Sequence, residues 1–348
     1  MVNLFVNGTE TSVEEGRTIL DACKNVGADI PTLCYDERLK GEGSCRLCVV
    51  EVEGAATSVP SCVTPAAEGM KIRTHTEAIN KQRKQLLELI ISDHNTDCMT
   101  CEATGSCKLQ NYAYEYDVDI NKYQGRKKEK GIVDTNKFFY LDQSKCILCT
   151  KCSRVCNELQ GNKVWSILER GFETQINTPF KIHMEEGNCV SCGNCVSACP
   201  TGALVPKKDS KFRDWEVEKV QTTCPYCGVG CQLYLLVKDN KIVGVEPKED
   251  SVNDGMLCVK GKFGYHFVNH PDRLTEPLIK KKGKFEKATW EEAYDLIKKK
   301  MSKIKEEHGG EAFGFFGSAK VTTEDNYAVQ KFARAVIGTN SIDHCARL

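Results

Sequence analysis

Residues 145–156 read KCILCTKCSRVC and residues 188–200 read NCVSCGNCVSACP. The first places Cys146, Cys149, Cys152 and Cys156 at C-x2-C-x2-C-x3-C. The second repeats that spacing with Cys189, Cys192, Cys195 and Cys199. Three thiolates on one tight loop, with a fourth on the helix that follows, suit an iron–sulfur cube. Structural zinc takes its four ligands in pairs, not as a doubled run with triplet spacing. Cys199 is followed by Pro200 and Cys156 by Asn157, a difference that moves no ligand.

The double run resembles bacterial two-cluster ferredoxins. That resemblance implies that the fourth cysteine of each run crosses to the other cluster. Cys146, Cys149, Cys152 and Cys199 are then expected to hold one 4Fe–4S cube. Cys156, Cys189, Cys192 and Cys195 are expected to hold the second.

The chain has 348 residues, enough for several domains, and 21 of them are cysteine. Secreted disulfide scaffolds are small and carry signal peptides. Here the start, MVNLFVNG, reads as a strand and a turn, and the cysteines fall in tight C-x-x-C groups. Metal sites in a reducing cytoplasm are therefore expected. No apolar run reaches the length of a membrane span. Lysine plus arginine and aspartate plus glutamate both number 48, a balance that argues against nucleic acid as a partner.

Outward toward the N-terminus, Val2–Val6 reads as a strand and Asn7-Gly8 as a hairpin turn. Thr18–Val26 reads as a helix stopped by Gly27. Cys34, Cys45, Cys48 and Cys62 follow at C-x10-C-x2-C-x13-C, with Gly41, Gly43 and Ser44 beside Cys45. Four thiolates from one loop and a distal strand fit a 2Fe–2S centre, and zinc fits the spacing alone. The pattern resembles the N-terminal domain of the large iron–sulfur subunit of NADH dehydrogenases and of iron–iron hydrogenases. Glu77–Ser92 has helical periodicity, with Ile79, Leu86, Leu87 and Ile90 on one face. It leads to His94, Cys98, Cys101 and Cys107 at H-x3-C-x2-C-x5-C. With no fourth cysteine nearby, the imidazole is the natural fourth ligand of a 4Fe–4S cube; a zinc site of three cysteines and one histidine is the alternative.

Residues 117–136, with a basic run at 126–130, read as a solvated linker; a docking patch for an acidic partner is the sharper alternative. Residues 160–179 read as an insertion in which Trp165, Ile167 and Leu168 cover the clusters. His183 has no ligand vacancy to fill. Residues 207–218 read as a second linker. Cys224, Cys227, Cys231 and Cys258 then form C-x2-C-x3-C-x26-C, enclosing strands at 232–237 and 242–245. This set, with Lys260 two residues past its last cysteine, resembles the 4Fe–4S domain of enzymes that use a molybdenum or tungsten bis-molybdopterin guanine dinucleotide cofactor. Formate dehydrogenases and assimilatory nitrate reductases are among them. The resemblance implies that Lys260 passes electrons between cube and pterin; a solvated surface lysine is the plainer reading.

Thr289 and Glu292 make a capping box for a helix running to His308. Residues 311–316 read as a buried strand, and Gly317-Ser318-Ala319 as a turn able to bind phosphate. A helix capped by Thr322 or Thr323 runs through Ile337. The stretch resembles the start of the pterin-binding domain of formate dehydrogenases, and residues 340–348 resemble the segment before the catalytic selenocysteine or cysteine. The expectation is that the reading frame stops there at a UGA codon for selenocysteine; a chance boundary is the alternative. The catalytic residue is then expected after Leu348.

The expected fold class is α+β and multidomain. It comprises a β-grasp 2Fe–2S domain (1–76), a 4Fe–4S domain with one histidine and three cysteine ligands (77–117), a linker (118–137), a two-cluster ferredoxin domain (138–208), a small β-rich 4Fe–4S domain (218–274) and the beginning of an α/β molybdopterin domain (275–348). One 2Fe–2S and four 4Fe–4S clusters use nineteen cysteines and His94, leaving Cys23 as a small buried residue and Cys345 without a role. The resemblance implies a formate dehydrogenase catalytic subunit acting on formate or CO2. Its electrons pass from the Cys224 cube through the double-cube module and the His94 cube to the 2Fe–2S domain. The partner is expected to be an NAD(P)-reducing flavoprotein, a ferredoxin or a hydrogenase. Rivals are a nitrate reductase, an iron–iron hydrogenase, an NADH dehydrogenase large subunit, which is not expected to carry the complete double run, and a non-enzymatic polyferredoxin.

Overall fold

The computed structural model describes residues 1–124, 127, 131–207 and 211–345. Strand β1 (Val2–Val6) turns at Asn7 and Gly8, both at positive φ, into β2 (Thr9–Val13). Helix α1 (Ile19–Asn25) starts at a capping box between Thr18 and Asp21 and stops where Gly27 takes φ 70°. β3 (Val49–Val52), β4 (Val59–Pro60) and β5 (Lys71–Arg73) complete a sheet ordered β2-β1-β5-β3-β4, with β1 and β5 parallel. Leu4, Val6, Ile19, Leu20, Ala22 and Ile72 fill the space between sheet and helix. Cys23 is buried in that core, where desolvation pushes its thiol up to about 11, so it behaves as the small apolar residue expected.

Helix α2 (Glu77–Ser92) is capped by Thr76, whose hydroxyl also donates to Glu51 at 2.7 Å and so ties the helix to β3. Its inner face buries Ile79, Leu87 and Ile91, but also Arg83 and Glu88. Leu86 and Ile90, expected on that face, are half-buried. Helix α3 (Lys108–Glu115) packs beside it.

β6 (Ile132–Val133), β7 (Phe139–Asp142) and, later, β10 (Leu204–Pro206) form a sheet in the order β10-β7-β6. The stretch expected to be a linker therefore ends in a strand. Of its basic run, all but Lys127 lies outside the described residues. Helices α4 (Lys151–Arg154) and α5 (Asn194–Ala198) carry the third cysteine of each run, Cys152 and Cys195; Cys156 lies on the helical turn after α4 and Cys199 caps α5. The insertion folds into a hairpin of β8 (Ser166–Leu168) and β9 (Gln175–Asn177). Trp165 is buried in the core around the cysteines, but Ile167 is 54% exposed and Leu168 half-buried. Strand alternation turns Ile167 outward, so it does not cover the clusters. His183 is exposed.

The second expected linker is not one. Phe212 is buried, and β11 (Glu218–Thr223) joins β12 (Gln232–Lys238) and β13 (Lys241–Pro247) in a three-stranded sheet. Residues 208–210 of this stretch lie outside the described residues. Helix α6 (Val259–Phe263) follows. The remainder is a hairpin of β14 (Leu278–Lys281) and β15 (Lys284–Lys287), helix α7 (Trp290–His308), β16 (Phe315–Gly317), helix α8 (Thr323–Phe332) and β17 (Ile342–His344). β16 is shorter than the strand expected at 311–316. It pairs only with β17 among the described residues, which leaves Phe316 87% exposed rather than buried. Among the described residues, no helix is long and apolar enough to cross a membrane.

Candidate iron–sulfur cluster sites

The loop from Cys34 to Cys48 crosses the end of the first sheet. Gly43 takes φ 63°, and a Cβ there would stand 3.1 Å from Val63, so the turn needs glycine. The four thiols fall into two pairs. The Cys45 amide donates to Cys34 Sγ at 3.5 Å, and the sulfurs of Cys48 and Cys62 lie 3.3 Å apart. Within each pair, a hydrogen bond from the partner thiol favours one thiolate: Cys34 falls to about 5 and Cys48 to about 7, while Cys45 and Cys62 are raised. Two pairs of thiolates are the donor set of a 2Fe–2S rhomb, two sulfurs to each iron.

Helix α2 ends just before His94, whose amide donates to Ile91 O at 2.9 Å and whose side chain is buried. Cys107 caps α3, its sulfur accepting from Gln110 N at 3.5 Å. Burial pushes this thiol up to about 11, and negative charge on Cys101 and Cys199 adds to the effect. Desolvation raises Cys98, with Cys101 again contributing. Cys101 is thus within electrostatic reach of both Cys98 and Cys107, and Cys107 of Cys199 from the double run. Arg213 donates to the carbonyls of Cys101 and Met99, so the segment expected to be a linker straps this loop. Gly202 abuts the loop: a Cβ there would stand 2.7 Å from Cys101 Sγ and 3.1 Å from Ala103 Cβ. Gly202→Ala should therefore displace Cys101. Loaded protein should lose the iron of this set, about four atoms, while the other sets keep theirs. Iron analysis beside low-temperature paramagnetic resonance checks this; unchanged iron and unchanged spectra would contradict it.

In the double run, one apolar cavity is walled by Cys146, Cys149, Cys152 and Cys199, and a second by Cys156, Cys189, Cys192 and Cys195. The structure brings together each set that the crossover assignment joins. Both loops take the same shape, with left-handed backbone at Leu148 and Thr150 in the first and at Ser191 and Gly193 in the second. Donors point at sulfur: Val164 N to Cys156 at 3.4 Å and Asn136 Nδ2 to Cys189 at 3.6 Å. Burial raises Cys149 to about 12 and holds Cys152 and Cys195 well above the ordinary thiol range, protons that metal binding would displace. Among the described residues, no three His, Cys, Asp or Glu side chains converge where a single metal ion could sit. Four sulfurs spaced around an apolar cavity, with amides aimed at them, fit a larger, four-cornered guest such as a 4Fe–4S cube.

The fifth set lies at one end of the β11–β13 sheet. Cys224 N donates to Cys231 O at 2.8 Å, and Cys258 precedes α6 as its N-cap. Cys231, raised by burial, also feels Cys224 and Cys258. Cys227, half-buried, shares the 224–231 loop. Lys260 is exposed and lines one cavity with Cys224 and Tyr226. The buried lysine of this helix is Lys262, which donates to Val245 O at 2.8 Å.

The sets are joined in sequence by direct contacts. Leu257 N donates to Asn194 Oδ1 at 3.0 Å, linking the residue before Cys258 to the loop of the second cavity. Gly193 lies against α6, where a Cβ would stand 2.8 Å from Phe263. Lys108 N donates to Pro200 O at 3.0 Å, beside Cys107 and Cys199. Leu33 and Leu47 pack with Leu87, Ile91 and Cys107, joining the Cys34 loop to the His94 set. A branch also exists: Arg154 Nη2, on the helix between Cys152 and Cys156, donates to Cys34 O at 2.5 Å. Nothing in the sequence singles out Asn194, Arg154 or Arg213, each one polar residue among many. At the far end, Asn326 fills the Gly317 turn, accepting from Ser318 N at 3.2 Å and donating to Ser318 O at 3.0 Å. That amide is already engaged and does not support the expected phosphate role. Cys345 Sγ lies 3.8 Å from Ser318 Oγ.

Family profiles match along the chain. Residues 1–77 match a 2Fe-2S iron-sulfur cluster binding domain, and 83–122 the NADH-ubiquinone oxidoreductase-G iron-sulfur binding region. Residues 137–205 match the ferredoxin-like domain of NADH-quinone oxidoreductase subunit 3. Residues 217–270 match the molybdopterin oxidoreductase Fe4S4 domain, and 273–348 molybdopterin oxidoreductase. The chain is 37% identical to the alpha subunit of the NADPH-Fe(3+) oxidoreductase of Geobacter sulfurreducens, and 34% identical to the second NADH-quinone oxidoreductase G-type subunit of Rhizobium meliloti. It is 29% identical to a provisionally named formate dehydrogenase of Staphylococcus haemolyticus. The first two alignments cover 100% of this chain and 40% of the relative; the third covers 98% and 39%. The chain thus spans about two-fifths of the length of these relatives. A solved NAD+-reducing [NiFe]-hydrogenase superposes with a TM-score of 0.57 at 28% identity, covering 61% of this chain and 89% of that one. The double run lies within the match to that NADH-quinone oxidoreductase domain.

Proposed function

We propose that this chain, a molybdopterin oxidoreductase sequence with the iron–sulfur domains of the NADH-quinone oxidoreductase G-type subunit, is the electron-relay part of a formate dehydrogenase. The observation that carries the reading is continuity: direct contacts join the expected ligand sets in order, from Lys260 and Cys224 to the Cys34 loop. When bound, iron–sulfur clusters supply one-electron carriers, and a molybdenum or tungsten bis-molybdopterin guanine dinucleotide would supply the two-electron chemistry of formate and CO2. The protein's work is placement. Cys146, Cys149, Cys152, Cys199 and Cys156, Cys189, Cys192, Cys195 hold two cubes in one core. His94 with Cys98, Cys101 and Cys107 holds a third, and Cys224, Cys227, Cys231 and Cys258 a fourth. Cys34, Cys45, Cys48 and Cys62 hold the 2Fe–2S centre. Lys260, which lines one cavity with Cys224, would pass electrons between the Cys224 cube and the pterin. The partner at the Cys34 end is an NAD(P)-reducing flavoprotein, a ferredoxin or a hydrogenase, and the assembly works in the cytoplasm.

A second reading is favoured by the Geobacter relative, named for NADPH and Fe(3+): the same relay carries electrons from a pyridine nucleotide, with formate playing no part. The full-length polypeptide, purified anaerobically with its metal, distinguishes them. Formate-dependent dye reduction supports the first reading. Turnover with NAD(P)H and a partner subunit, and none with formate, overturns it in favour of the second.

A further inference from the structure

The two halves of the double run are copies of one loop, yet their buried charge differs. Matching their cysteines pairs Lys151 with Asn194 and Arg154 with Ser197. Lys151, Arg154 and Asn194 are all less than a tenth exposed. Lys151 Nζ lies 3.7 Å from Asp36 Oδ2, and its field includes the thiols of Cys149 and Cys199 and the ammonium of Lys108. Asp36 is shared, because Arg38 grips the same carboxylate through Nε and Nη2, each at 2.9 Å. Arg154 donates to Cys34 O and to Lys40 O at 3.0 Å, and its one close carboxylate, Glu42 at 3.4 Å, is partly in solvent. Within ion-pair distance, Lys151, Arg154 and Arg38 meet Asp36 and Glu42, three cations to two carboxylates; Asp254 and Glu249 add to the field at Arg38 and Lys108 to that at Lys151, while Lys262, buried against Gly193 of the second loop, turns its ammonium to Val245 O. At the matching place in the second loop, Asn194 is neutral and fully engaged: it donates to Gln160 at 3.0 Å and accepts from Leu257 N at 3.0 Å.

Two sites with the same four-sulfur donor set and the same loop would otherwise be near-equivalent carriers. A fixed cation in a low-dielectric interior favours the more negative, reduced state of an anionic group beside it. We infer that Lys151, with Arg154, holds the cube of Cys146, Cys149, Cys152 and Cys199 at a higher potential than its twin. The double-cube module then contains a downhill step toward the His94 and Cys34 sets. Asp36, reaching over from the 2Fe–2S domain, sets the size of that step. This inference rests on the reading that both cavities hold cubes.

The test is a redox titration of the anaerobic, loaded protein followed by low-temperature paramagnetic resonance. A Cys189→Ala variant, lacking the second cube, identifies the signals. Lys151→Asn should lower the reduced-to-oxidised ratio of the first cube about tenfold at fixed potential, ~59 mV for one electron. It should leave the second cube unchanged. Lys151→Arg should keep the wild-type value. Asp36→Asn, which removes the opposing carboxylate, should raise the ratio, so the idea stays open to refutation even if Lys151→Asn loads poorly. Unmoved potentials in both Lys151→Asn and Asp36→Asn, or equal shifts in both cubes, would overturn the inference. Absence of cube signals and of acid-labile sulfide from wild-type protein would instead sink the cluster reading beneath it.

Discussion

Replacing Cys146 and Cys199 together by alanine should remove about four iron atoms from the loaded protein, and replacing Cys146 and Cys156 together should remove about eight. The two double variants delete the same number of thiols from the same small domain. They differ only in how the thiols are shared. Cys146 and Cys199 wall one cavity, so both losses fall on one cube. Cys156 walls the other cavity, with Cys189, Cys192 and Cys195, so the second variant damages both. If each run instead served its own cluster, the two outcomes would exchange. Iron and sulfide analysis on anaerobic samples reads the difference directly. The intervening helical turns account for which cysteines line each cavity. α4 and the turn after it carry Cys156 away from its own loop, and α5 does the same for Cys199.

The second large effect concerns stability. Arg83 is fully buried, and its guanidinium donates to Leu47 O at 3.1 Å, Val49 O at 2.9 Å and the Tyr116 hydroxyl at 3.3 Å. Arg83→Met keeps the aliphatic stem but leaves two buried carbonyls without this donor. Hydrogen bonds from a charged donor contribute about 1.5–3 kcal/mol each, so a local loss of about 3 kcal/mol is expected. A multidomain chain need not unfold in one step, so the measurement is amide exchange. Val49 and Val50 on β3 should exchange about a hundredfold faster, the equivalent of roughly 3 kcal/mol. The Cys48 ligand site should lose occupancy with them. Unchanged exchange in β3 would show that Arg83 contributes packing alone.

Most of the candidate site is legible because thiolate ligands announce themselves by spacing. The tight loops of the double run need three cysteines within seven residues, and no core packing pattern produces that. Helix limits are equally plain where caps are strong, as at Thr18, Thr76 and Thr289. What escapes is everything set by tertiary contact. On α2, periodicity picks out apolar residues, so buried Arg83 and Glu88 pass as surface charges; only the carbonyls at 47 and 49 and Lys122, 2.6 Å from Glu88, show why they are inside. The charged stretch near 211–216 looks like a linker because Arg213 and Lys211 find their partners over a hundred positions earlier, at Cys101 and Glu102. Ile167 reads as a cluster cover, and wrongly, because a short hairpin strand has two faces and hydrophobicity does not say which is inward. The likeness of the double run to NADH-quinone oxidoreductase cannot be weighed from spacing, since the same ligand loop serves enzymes with different chemistry.

Iron, sulfide and their number decide between five clusters and five zinc sites. Anaerobically prepared chain, assayed for iron, zinc and acid-labile sulfide, should contain about eighteen iron atoms with a matching amount of sulfide and no stoichiometric zinc. Zinc at about one atom for each four-ligand set, without labile sulfide, would contradict it.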